Sequence, residues 1–329
     1  VRLNEYKKGM VHHAENVTMN QLALIFPGQG SQKVGMGLEL AQTYPVARAA
    51  FDEANSVLNR SLSQLCFEGP DEALKQTENT QLAILTCSVA ALRVLQELGI
   101  SPHIVAGHSL GEYSALVAAQ VLEFSDALKL VEHRAQFMAV ATQQQAGTMA
   151  AILGLEDDIL QAFCKEAQSV GVVEIANYNC PGQLIISGEI TAVEKVIKQA
   201  GKKVGSRRCR LLEVSGAFHS PLMKSARDRL QSVIDEFTFQ PLQTKFVANV
   251  TGDFVRNPED IRQRLIEQVT SPVQWEKSIR AIGNIGISHF VEVGPGKVLS
   301  GMVRRILADS IRLNVENVAS LENTISAIT

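Results

Sequence analysis

Aromatic residues are scarce, at 5 % of the chain, and the formal charge is nearly balanced at −3. No excess of lysine and arginine exists to coat a nucleic acid, and a hydrophobic content of 46 % is too high for disorder. Cysteine is also sparse. Cys66, Cys87, Cys164, Cys180 and Cys209 are odd in number, widely spaced and contain no Cys-x-x-Cys pair, which argues against both a disulfide framework and a zinc site. A reducing, cytoplasmic location is expected. No apolar run reaches the roughly eighteen residues of a membrane helix, and residues 1–19 lack the apolar heart of a signal peptide. Those residues read as a native extension or an expression remnant, with no function assigned.

Against these absences stands a pattern of short apolar runs separated by helical periods. Leu22-Ala23-Leu24-Ile25-Phe26 ends in Pro27-Gly28, the mark of a strand buried on both faces of a parallel sheet. Apolar residues at 82, 85, 89, 92, 95 and 98 keep a helical period that Gly99 closes. Phe246 to Val250 and His289 to Val293 read as further buried strands. Strands alternating with helices predict an α/β fold around a parallel sheet, of the α/β-hydrolase-like kind. Between Thr148 and Val214 the order becomes β-α-β-β-α-β, with strands expected at 172–177 and 184–187, which is ferredoxin-like. We therefore expect residues 147–214 to form a small domain inserted into a large catalytic domain made of 20–146 and 215–329.

The stretch with the most chemical content is Gly107-His108-Ser109-Leu110-Gly111, which follows an apolar run and precedes a helix-forming segment. Strand, Gly-x-Ser-x-Gly turn and helix are the context of a nucleophile elbow, with Ser109 projecting from the apex. The N–H of Leu110 opens the helix, has no partner within it and is free to meet an oxyanion. The glycine-rich loop Pro27-Gly28-Gln29-Gly30-Ser31-Gln32 fails as a nucleotide cradle: Gly35 is followed by Met36-Gly37 instead of Lys-Ser/Thr, and Lys33 stands where a dinucleotide loop has glycine.

Seven histidines compete for the role of base. His12 and His13 are in the terminal extension, His133 is on a helix, His103 and His289 flank strands, and His108 leaves the turn in another direction from Ser109. His219 lies in a loop of small residues just before Ser220-Pro221 and a periodic helix, with the positive helix end favouring a neutral ring. No Asp or Glu sits in an obvious place to orient it, so a backbone or amide carbonyl in a dyad remains an alternative to a triad. By position alone, Arg134 on the helical stretch 125–140 reads as a surface arginine.

In order along the chain, Phe26-Pro27-Gly28-Gln29-Gly30-Ser31-Gln32, Gly107-His108-Ser109-Leu110-Gly111-Glu112, Gly216-Ala217-Phe218-His219-Ser220, Pro272-Val273-Gln274-Trp275 and Glu292-Val293-Gly294-Pro295-Gly296 resemble the malonyl-CoA:acyl-carrier-protein transacylase family. These are acyltransferases of fatty-acid and polyketide synthesis, and the likeness runs from about Gln21 to Leu321. It implies that Ser109 is acylated, that His219 is its base, and that the N–H groups of Gln29 and Leu110 form the oxyanion hole. It further implies that Arg134 binds the free carboxylate of malonate, that Phe218 and Asn179 line the substrate cleft, and that the main-chain carbonyl of Gln274 orients the histidine. Phe218 and Leu110 together imply a preference for malonyl over methylmalonyl groups.

The implied reaction is a ping-pong transfer of malonyl from malonyl-CoA to the phosphopantetheine thiol of acyl carrier protein, with no metal or other cofactor. A stand-alone acyltransferase serving a polyketide synthase is the alternative within the family, and a serine esterase or thioesterase the more distant one. The carrier protein is expected to be acidic and to dock near Lys202, Lys203, Arg207 and Arg208. Nucleic-acid and membrane partners are not expected, and the chain is expected to act as a monomer.

Overall fold

The computed structural model describes residues 21–328. The reading of residues 1–19 falls outside them. Ten strands appear in chain order: β1 (Leu22–Phe26), β2 (Ile104–Gly107), β3 (Thr148–Leu153), β4 (Val173–Cys180), β5 (Gln183–Gly188), β6 (Cys209–Leu211), β7 (Lys245–Ala248), β8 (Asp253–Val255), β9 (His289–Val293) and β10 (Ile311–Val315). They form two sheets.

The larger sheet has the order β10-β9-β1-β2-β7-β8. All its neighbours pair in parallel except β7 and β8. Every residue of β1 is buried, as its unbroken apolar run requires. Leu22, Leu24 and Phe26 enter one core, while Ala23 and Ile25 enter a second with Trp275 and Phe290. Alternation along one strand thus feeds apolar layers on both faces of the sheet. The helix Thr77–Glu97 is buried along most of its length, and Gly99, at φ +78°, supplies the left-handed residue that ends it.

The second sheet is antiparallel, in the order β4-β5-β3-β6. The helices Asp157–Ala167 and Ile190–Val204 complete the expected β-α-β-β-α-β sequence. Ala150, Ile152, Leu160, Val173, Val193 and Val196 build a core of their own. On the other face, Met149 and Ile185 turn toward the large domain. Backbone bonds tie the second sheet to the segment leading into the helix Trp275–Asn284: Val273 N–H donates to Ala176 O at 2.8 Å, and Tyr178 N–H donates to Val273 O at 2.9 Å.

Some elements exceed the sequence reading. β4 continues past Asn177 to Cys180 because Tyr178 and Cys180 pair with Leu184 and Gln183 across two register shifts. β8 and β10 lie at the two edges of the large sheet, where half-exposed residues leave no apolar run to detect.

Candidate active site

The elbow forms where β2 ends. Ser109 has φ +52°, a left-handed conformation that costs an L residue about 1–2 kcal/mol and points its side chain out of the turn. The flanking glycines are required by contact. A Cβ on Gly107 would stand 1.9 Å from the backbone of Gly111, and one on Gly111 would stand 2.0 Å from Phe26 O. The helix Gly111–Ala118 begins directly after Leu110. Leu110 and Gln29 both border the cavity that holds Ser109, and among the described residues neither backbone N–H has an acceptor.

His219 is the histidine brought to the serine. Its Nε2 lies 2.8 Å from Ser109 Oγ, and its ring is buried. Like Ser109 it holds a left-handed backbone, with φ +57°. Nδ1 lies 2.8 Å from the main-chain oxygen of Gln268. A carbonyl only accepts, so Nδ1 carries the proton and the bare Nε2 faces the serine hydroxyl. Burial first, and then the Arg134 guanidinium, push the His219 pKa down to about 3, which keeps the ring neutral.

The expectation for Gln274 is corrected here. Its carbonyl accepts from Ser278 N–H at 2.9 Å and from Ser278 Oγ at 3.0 Å. Gln274 caps the start of the helix Trp275–Asn284, so its oxygen is spent on that helix, and Gln268 faces the imidazole instead.

The remaining described histidines have other partners. His108 Nε2 meets Asn179 Oδ1 at 2.9 Å, and its ring lies edge-on to Trp275. His103 Nδ1 accepts from Leu22 N–H, His133 stacks on Phe137, and His289 meets Ser288 Oγ.

Arg134 corrects its reading as a surface residue. It projects from the helix Phe124–Gln144 and is 2 % exposed. Nη1 donates to Gln81 Oε1, and Nη2 donates to Gln268 Oε1 at 2.9 Å and to Ser109 Oγ at 3.3 Å. Its acceptors are neutral amide and hydroxyl oxygens, and Nε has none. A buried cation whose direct hydrogen-bond acceptors are all neutral is suited to an incoming anion. Arg134, Asn179 and Phe218 border the same cavity of about 520 Å³ as Ser109 and His219.

Glu112, Asn249, Gln268 and Gln81 were assigned no role from sequence. Asn249 Oδ1 accepts from Ser109 N–H at 2.6 Å, and its Nδ2 donates to Gly107 O at 2.6 Å, bracing both sides of the elbow. Glu112 Oε1 accepts from Asn249 N–H at 2.7 Å, and Oε2 accepts from Gln268 Nε2. Burial pushes the Glu112 carboxyl up to about 8, while these hydrogen bonds and Arg134 pull the other way. Glu112 adjoins the elbow motif and was open to notice. Asn249 and Gln268 sit at element ends with no local pattern to mark them.

Among the described residues, no group of three or more His, Cys, Asp or Glu side chains is placed to hold a metal ion. No described helix is long and apolar enough to cross a membrane.

Residues 23–323 match the family model described as the acyl transferase domain. The malonyl CoA-acyl carrier protein transacylase of Bacillus subtilis is 46 % identical over 289 residues, covering 88 % of this chain and 91 % of the relative. The Escherichia coli K12 protein of the same name is 45 % identical over 290 residues, covering 88 % and 94 %. The crystal structure of an acyl-carrier-protein S-malonyltransferase from Burkholderia pseudomallei superposes with a TM-score of 0.90 at 41 % identity, covering 93 % of this chain and 99 % of that one. A malonyl-transacylase solved in complex with a type II polyketide acyl-carrier protein gives a TM-score of 0.90 at 40 % identity, covering 94 % and 100 %. With an elbow serine, a histidine and a buried arginine at one cavity, and with likeness along nearly its whole described length, the chain belongs to the acyl transferase family, among the malonyl CoA-acyl carrier protein transacylases.

Proposed function

We propose that the protein transfers the malonyl group of malonyl-CoA to the phosphopantetheine thiol of an acyl carrier protein by way of a malonyl ester on Ser109. The observation that carries this reading is Arg134, a buried cation 3.3 Å from the nucleophile. A hydrolase of neutral esters has no use for such a group in its acyl pocket. A guanidinium fork pairs both oxygens of a carboxylate, fixing the orientation of the acyl group as well as its charge.

His219 Nε2 takes the proton of Ser109 Oγ as that oxygen attacks the thioester carbonyl. The N–H groups of Gln29 and Leu110 hold the resulting oxyanion. Collapse breaks the C–S bond, and the leaving sulfur takes the proton from His219. In the second half the carrier thiol gives its proton to His219 and attacks the malonyl ester, and Ser109 Oγ recovers the proton as it leaves. The exchange calls on no metal or redox cofactor. Asn179, through His108, and Phe218 shape the wall around the acyl group.

Action as a monomer belongs to this reading. Five buried, free cysteines fit a reducing cytosol. Lys202, Lys203, Arg207 and Arg208 are exposed and make no ion pair among the described residues, which supports their docking an acidic carrier protein. They precede Leu212, Glu213 and Val214 at the cavity wall. The relative solved with a type II polyketide carrier favours, as a second reading, a polyketide carrier protein as acceptor.

Intact-mass measurement after mixing with malonyl-CoA tests the proposal. A malonyl adduct is expected on the native protein, absent from Ser109→Ala and discharged by a carrier protein bearing its phosphopantetheine arm. Rapid loss of the adduct to water alone would show a hydrolase.

A further inference from the structure

Glu112 is ionisable, 1 % exposed, and takes no part in the proton transfers above. Its two oxygens are fully engaged by donors of different mobility. Oε1 accepts from the backbone N–H of Asn249, which the end of β7 holds in place, and Oε2 accepts from the side-chain amide of Gln268.

That amide has only one workable direction. Gln268 Nε2 donates to Glu112 Oε2 and, at 2.9 Å, to Ser109 O. Its Oε1 accepts from Arg134 Nη2 at 2.9 Å. Turned over, the NH₂ would meet the guanidinium donor to donor, and Oε1 would face two acceptors. Glu112 Oε2, one of the two acceptors of that NH₂, therefore helps to select which end of Gln268 meets Arg134.

We infer that Glu112 is a positioning residue for acyl selection: by helping to fix the amide direction of Gln268, it aims Arg134 at the carboxylate of the acyl group. Discrimination between carboxylated and neutral acyl groups then depends on a side chain that touches neither the acyl group nor the serine hydroxyl. This inference rests on the proposed role of Arg134 as carboxylate clamp.

Glu112→Gln is nearly isosteric and exposes the dependence. The backbone N–H of Asn249 cannot turn, so the new side chain keeps its oxygen there and presents NH₂ to Gln268. Gln268 Nε2 then meets a donor where it had an acceptor, keeps only Ser109 O, and is pushed from the position in which its Oε1 aims Arg134.

The readout is the ratio of acylation rates with malonyl-CoA and acetyl-CoA, followed by intact mass on native protein, Glu112→Gln, Arg134→Ala and the double variant. The ratio is expected to fall about tenfold or more in Glu112→Gln, in keeping with loss of one charge-assisted hydrogen bond. It is expected to fall no further when Glu112→Gln is added to Arg134→Ala. Gln268→Met, which keeps the main-chain carbonyl facing His219, should shift the ratio in the same direction and serves if Glu112→Gln does not fold. A purely structural role would lower both rates together, so an unchanged ratio in Glu112→Gln, or in Gln268→Met where that variant stands in, overturns the inference. An unchanged ratio in Arg134→Ala overturns the clamp reading itself, a separable failure.

Discussion

Arg134 Nη2 lies 3.3 Å from the same Ser109 oxygen that His219 Nε2 meets at 2.8 Å. The group assigned to the substrate carboxylate thus also bears on the proton chemistry of the free enzyme. Burial and Arg134 hold His219 near 3, below its ordinary 6.5. A general base works unprotonated, so the acid limb of kcat/KM is expected well below pH 6.5. Arg134→Ala removes the cation that opposes imidazolium, so the His219 pKa rises and the limb moves to higher pH. Profiles with acetyl-CoA, which needs no carboxylate clamp, check this; a limb that stays fixed would remove Arg134 as a cause. With malonyl-CoA the same variant should lose about 100-fold or more in acylation rate, corresponding to two charge-assisted hydrogen bonds.

The elbow stores strain for the sake of the exposed hydroxyl. Ser109→Gly relieves the left-handed penalty that Ser109→Ala retains, so the glycine variant should be the more stable of these two inactive proteins by about 1 kcal/mol. Gly111→Ala should instead cost about 3 kcal/mol or more, because its Cβ would meet Phe26 O at 2.0 Å. Denaturant unfolding of the three variants compares them directly, and equal stability of the two serine variants would show that φ carries no penalty here.

Phe218 is buried, borders the cavity and stands next to the base in sequence. A pocket of this kind distinguishes one methyl group by about 1–3 kcal/mol. Native protein should therefore favour malonyl-CoA over methylmalonyl-CoA, and Phe218→Ala should narrow the gap about tenfold. Competition kinetics with both thioesters decides it. A gap unchanged by the substitution would place the discrimination elsewhere in the pocket.

Charge reversal at Lys202 or Arg207 should raise KM for an acidic carrier protein while leaving KM for malonyl-CoA alone. Added salt should have the same effect on the native protein, because exposed charges are screened within a Debye length of about 8–10 Å. Unchanged KM for the carrier in both reversals would rule out this surface for docking.

The serine elbow was legible because its cause is local. Gly107 and Gly111 stand two residues either side of Ser109, and a turn that tight needs both. The strand β1 and the helix Thr77–Glu97 were legible for the same reason, through an unbroken apolar run and a sustained helical period. The orienting carbonyl was not, because any backbone oxygen is chemically alike and only its place in space distinguishes Gln268 from Gln274. Arg134 was misread from its position for a related cause. Arginine on a helix usually faces water, and nothing nearby in sequence reports that Gln81 and Gln268 wait for it.

The sequence by itself determined the elements whose physics acts over a few residues: the alternation of buried strands and periodic helices, the nucleophile turn, and the residue types the chemistry needs. Tertiary structure alone decided which distant polar atoms meet. Ser109, Arg134, His219, Asn249 and Gln268 arrive from separate elements, and their hydrogen bonds span up to 159 positions of chain. Such contacts are imposed by the packing of strands and helices around both sheets, where each buried polar group must find a partner, and no local pattern records which partner that is.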